Sequence, residues 1–141
     1  MRRGLRDVVA LQRHDLSVAV ARKKIEPKRE ARIVDEIIVD AYTEDERAMG
    51  WYYHLEGELR FPFEAQCVKQ WPISPLRKGE KIQITALAPV EHCARQILVL
   101  GHWGGRSMGL PLAQLQPIGV DKATAQAIAD WHYWVNHENQ F

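Results

Sequence analysis

Between residues 35 and 58 the chain carries Asp35, Glu36, Asp40, Glu44, Asp45, Glu46, Glu56 and Glu58 against a single base, Arg47. Hard divalent cations such as Ca²⁺ take six to eight oxygen ligands, and carboxylates supply the oxygens together with compensating charge. The run is therefore a candidate cation-binding surface. It is not an EF-hand, because no D-x-[DN]-x-[DN]-G loop occurs in the chain and the acids spread well beyond twelve residues. A solvated face accounts for the same residues: acids in a helix first turn are stabilised by the macrodipole, and Asp121 is explained as a helix cap. Against that stands the pair Glu36 and Asp40 at i, i+4, whose mutual repulsion a cation would relieve.

Other chemistries find less support. The chain has no Gly-rich phosphate loop, no G-x-S-x-G elbow and no H-E-x-x-H, so an enzyme is not expected. His92 adjoins Cys93, while His54, His102 and His132 stand near aromatic residues; none has the spacing of a zinc site. Cys67 and Cys93 read as buried, inert thiols in a reduced, cytoplasmic setting. The short apolar run Ile97 to Leu100 falls far below the roughly 18 residues that cross a bilayer, so no membrane partner is expected.

The net charge of +1 conceals a division. Residues 1–34 hold ten bases and four acids, and residues 35–141 hold nine bases and fourteen acids. With 141 residues, 46% hydrophobic and 26% charged, the chain suits one globular domain. We read residues 1–29 as a basic N-terminal extension, disordered or partly helical with a short helix before Pro27, and residues 30–141 as the domain.

Positioning the acids requires two helices. Val34, Ile37, Ile38 and Ala41 recur at helical spacing over about 30–42, with Glu36 and Asp40 on the other face. Thr43 followed by Glu46 has the form of a capping box, which starts a second helix with an apolar stripe of Ala48, Trp51, Tyr52, Leu55 and Leu59. Pro62 stops it near Leu59. Strands follow over 63–68, 81–87 and 95–100; Gly104-Gly105 suits a tight hairpin, and Leu110-Pro111-Leu112 reads as an edge strand or its end. Leu115 to Ile118 leads to a last helix over 122–137 capped by Asp121. Its apolar face holds Thr124, Ala127, Ile128, Trp131, Trp134 and Val135, with Gln126, Asp130, Tyr133 and His137 opposite. The class is α+β: two N-terminal helices, a small curled antiparallel β-sheet or SH3-like barrel, and a C-terminal helix.

The stretch from Asp40 to Tyr53, then Leu55-Glu56-Gly57-Glu58-Leu59-Arg60-Phe61-Pro62-Phe63, resembles the cyanobacterial and bacterial calcium-binding protein family known as CcbP. Ser74-Pro75-Leu76, Lys78-Gly79-Glu80, Leu110 to Leu115 and Ala127 to Trp134 extend the resemblance over about residues 30–141. It implies a non-enzymatic protein that binds Ca²⁺ reversibly, or buffers it, without EF-hands. Charge placement puts Glu36, Asp40, Glu44 and Asp45 first as metal ligands, then Glu56, Glu58, Asp121 and Asp130. Competition from Arg22, Lys23, Lys24, Lys28 and Arg29 would weaken binding. The competing reading is a small-barrel module that binds a protein segment or touches nucleic acid through the basic arm. Nucleic acid is disfavoured because no aromatics interleave the basic run.

Overall fold

Pro27 has no amide proton to leave unsatisfied and its φ is preset, so it starts the first helix, α1 (Pro27–Arg32). The computed structural model describes residues 24–72, 74–93 and 96–137. Residues 1–23, with the short helix read ahead of Pro27, lie outside the described residues. α1 runs directly into a π turn, Ile33–Ile37, closed by the Ile38 amide donating to the Ile33 carbonyl at 2.9 Å. The wider turn directs Ile33 and Ile37 into the core and leaves Val34 53% exposed. The expected stripe starting at Val34 is thus corrected. The helix begins earlier, and the π turn shifts the phase on which the simple 3.6-residue spacing relied.

The capping box forms as read. Thr43 Oγ1 accepts from the Glu46 amide at 3.1 Å, and Glu46 Oε1 accepts from the Thr43 amide at 3.0 Å, opening α2 (Glu44–Glu58). Trp51, Tyr52, Leu55 and Leu59 are buried, and Ala48 packs at the margin. Gly50 lets α2 approach the π turn closely, since a Cβ there would stand 2.5 Å from the Ile37 carbonyl oxygen.

Five antiparallel strands lie in the order β4-β3-β2-β1-β5: β1 (Phe63–Cys67), β2 (Lys81–Leu87), β3 (Leu98–Trp103), β4 (Arg106–Pro111) and β5 (Leu115–Ile118). β4 and β5 are edges, so the sheet is open and the SH3-like barrel is not formed. Gly104 and Gly105, both at positive φ, make the two-residue turn between the paired Trp103 and Arg106. The third strand starts three residues later than the apolar run suggests and extends through Trp103 to that turn. Ala94 and Arg95 lie outside the described residues.

α3 (Lys122–Asn136) is capped by Asp121, whose Oδ1 accepts from the Thr124 amide at 3.3 Å. Trp51 of α2 meets Trp131 edge-on, with ring centroids 5.0 Å apart, and lies 5.9 Å from Trp134. The opposite face of α3, that of Gln126, Asp130, Tyr133 and His137, is only partly open, with Gln126 exposed. Asp130 and Tyr133 are buried there because α1 lies across them. Asp130 Oδ1 and Oδ2 accept from Arg32 at 2.7 and 2.9 Å, and Arg29 Nε stands 3.1 Å from Oδ1 as an ion pair. Tyr133 Oη donates to Glu30 Oε2 at 2.7 Å and accepts the Glu26 amide at 3.0 Å. Among the described residues, no helix is long and apolar enough to cross a membrane.

Candidate metal centre

The loop from Ile38 to Tyr42 turns the chain from the π turn into α2, with the Ala41 amide bonding the Ile38 carbonyl at 3.0 Å. Asp40 takes the left-handed conformation, φ 56°, which Asp and Asn adopt more readily than other side chains outside glycine. Asp40 then shares a depression of about 290 Å³ with Asp45 and Glu46, between Val39, Ala41 and Met49. A second depression of about 290 Å³ adjoins it through the common residues Asp45 and Met49, and is lined further by Tyr52, Val90, Glu91 and Cys93.

Glu46 is held below the ordinary carboxylate value, first by the Tyr42 amide and then by the Thr43 amide, both donating to Oε1. Tyr52 carries Glu91 to the site. Its hydroxyl donates to the Ala88 carbonyl at 2.7 Å, fixing the chain that leaves β2 against α2 just before the short 3₁₀ turn Val90–His92. Burial raises the Tyr52 phenol, and the charges of Cys93, Glu56 and Glu91 raise it further.

The eight expected ligands divide. Asp40 and Asp45 come together, and Glu44 is exposed beside them on the first turn of α2. Glu36, exposed on the π turn, acts on Arg32 and His54 instead. Glu56 and Glu58 are exposed in the last turn of α2, and the Glu58 charge acts on His54. Asp121 caps α3 and lies 3.4 Å from Arg60. Asp130 is enclosed between Arg29 and Arg32, with both carboxylate oxygens engaged. Among the described residues, no three His, Cys, Asp or Glu side chains converge into a ready-made metal cluster. The sequence reading left Glu46 and Glu91 out of the ligand set. Glu46 was legible only as a cap, and Glu91 has no local signal because Tyr52 brings it there across 39 residues of chain.

Residues 31–135 match the CcbP family, described as calcium binding. The chain belongs to this calcium-binding CcbP family. The crystal structure of Anabaena CcbP is 35% identical, with a TM-score of 0.74 over 84% of this chain and 97% of that one. A calcium binding protein in its calcium-binding form is 34% identical, with a TM-score of 0.75 over 84% of this chain and 98% of that one. A search of curated protein sequences returns no match. Both structures thus share the α+β architecture over nearly their whole length.

Proposed function

We propose that this protein binds Ca²⁺ reversibly, without catalysing a reaction, at the acidic surface where the Ile38 to Tyr42 loop meets the start of α2. The supporting observation is the shared depression of Asp40, Asp45 and Glu46, with Glu44 beside it and Glu91 across the adjoining hollow. The donors are hard oxygens, the class that fits Ca²⁺. Asp40, Glu44 and Asp45 would hold the ion, and Glu91 adds a fourth carboxylate from outside the helix. Waters complete the shell where the four carboxylates bind through one oxygen each and so supply fewer than the six to eight oxygens Ca²⁺ takes. Glu46 contributes charge while Oε1 remains with the cap.

The affinity should be modest. The positive end of the α2 dipole favours each first-turn carboxylate and opposes an incoming cation. Ligands that do not converge beforehand must also be ordered by the ion. A dissociation constant on the order of 10⁻⁴ M fits such an open site. Calorimetry with residue-resolved NMR during a Ca²⁺ titration tests this. Shifts should centre on residues 39–46 and 90–92, with Asp40→Asn and Asp45→Asn each weakening binding about tenfold and Glu36→Gln doing little. Mg²⁺ should compete poorly because it keeps its waters and demands octahedral geometry. Absence of any response at millimolar Ca²⁺ sinks the proposal.

A further inference from the structure

The proposed metal surface has an apolar floor that a metal ion does not use. Val39 and Met49 line the first hollow beside Asp40 and Asp45, and Met49 continues into the second, where Val90 stands beside Glu91. All three stay exposed, as do Tyr42 in the loop and Tyr53, whose ring stands edge-on to Tyr52 with centroids 5.8 Å apart. Single exposed apolar side chains are ordinary on a protein surface, but here Met49 joins them into one patch with acids around it. Ca²⁺ takes oxygen ligands. The side chains of Val39, Met49 and Val90 offer none, so an ion at the rim leaves them in water.

We infer that the joined hollows dock a Lys- and Arg-rich amphipathic segment of a partner protein, and that Ca²⁺ and this segment compete for the surface. The competition rests on the metal reading above; the docking does not. Charge complementarity selects the occupant. Asp40, Glu44, Asp45, Glu46 and Glu91 border the floor, and the base of this stretch is Arg47, whose charge acts on Glu46. A cationic segment meets that acidic excess favourably, whereas a second copy of this chain would set the same acids against it. Because the hollows meet at Asp45 and Met49, two apolar side chains of one helix face, at i and i+3 or i+4, would fill one each. Lys and Arg beside them cover apolar surface with their stems and bring their charges to the rim. Ca²⁺ neutralises the same carboxylates, so each ligand lowers the affinity of the other by the same factor.

The probe is a synthetic peptide of Lys and Leu, about four helical turns long with its leucines at i, i+3, i+4 and i+7, titrated into the full chain in EDTA. Backbone NMR shifts should centre on residues 39–53 and 90–91. Met49→Ser with Val90→Ser removes apolar floor and leaves every carboxylate in place; it should weaken the peptide about tenfold. A peptide of the same composition with its leucines dispersed around the helix should bind more weakly by a similar factor. Saturating Ca²⁺ should weaken the peptide about tenfold, and an equal concentration of Mg²⁺ much less. Absence of peptide binding, shifts centred elsewhere, or equal binding by the Ser variant or the dispersed peptide overturns the docking surface. So does a response that appears only with Arg2→Gln, Arg3→Gln, Arg6→Gln and Arg13→Gln, which assigns the face to the chain's own basic arm, or a dimer in sedimentation that the peptide dissociates, which assigns it to a second copy. Peptide affinity unchanged by Ca²⁺ that calorimetry shows to be bound overturns the competition. Peptide binding without any Ca²⁺ binding upholds the docking and sinks the metal reading alone.

Discussion

At the scale of single residues, His54 and His132 make stability depend on pH in the same direction. His132, half-buried on α3, has Nε2 3.2 Å from the Leu112 carbonyl. Burial pushes its pKa below the ordinary value by more than the Leu112 and Leu115 carbonyls raise it, and Lys69 lowers it slightly further. His54 moves the same way, again mainly through burial. Below about pH 6.5 the unfolded chain therefore takes up protons that the folded chain resists, and stability falls as pH drops from 7 to 5. Urea denaturation across that window should show the midpoint decreasing, and His132→Gln should flatten the slope, leaving the share due to His54. Glu46 enters only lower. Its pKa is depressed by its two amide donors, so the capping box contributes above the ordinary carboxylate value and is lost as pH falls through the depressed one.

At the scale of elements, two glycines of α2 should respond to the same substitution with opposite signs. A Cβ at Gly50 would collide with the Ile37 carbonyl oxygen, which belongs to backbone and cannot swing away, whereas one at Gly57 meets nothing within 4 Å. Gly50→Ala should cost about 1–3 kcal/mol despite its better helix propensity, and Gly57→Ala should stabilise by about 0.5–1 kcal/mol; thermal unfolding of the two variants checks both. Features fixed by neighbours along the chain were legible in sequence: the Thr43/Glu46 box, the alternation from Lys81 to Leu87, the Gly104-Gly105 turn and the Asp121 cap. The π turn was not, because a one-residue widening leaves no mark in composition. Nor was the burial of Asp130, since its guanidinium partners lie about a hundred residues earlier. The site divides similarly. Its carboxylates were visible as charge, but only folding decides that Asp40 and Asp45 share a hollow while Glu36 stays exposed on the π turn, outside it.

At the scale of the whole molecule, Ca²⁺ binding should be coupled to stability. A ligand that binds only the folded chain, present at about a hundredfold its dissociation constant, adds roughly 2.7 kcal/mol. For a domain of this size that raises Tm by roughly 10 °C, which differential scanning calorimetry reads directly; an equal Mg²⁺ concentration should give a smaller shift. The basic residues close enough to compete are fewer than the charge count implies, because Arg29 and Arg32 are committed to Asp130. That commitment also imposes an order on biosynthesis. α1 is among the first described elements to leave the ribosome, yet its acceptors, Asp130 and Tyr133, are in the last. Until α3 is translated, the α1 guanidinium groups have no buried carboxylate to receive them, and Trp51 lacks Trp131 and Trp134. The nascent chain can form the sheet hairpins as they emerge, but closure of the domain waits for its final helix.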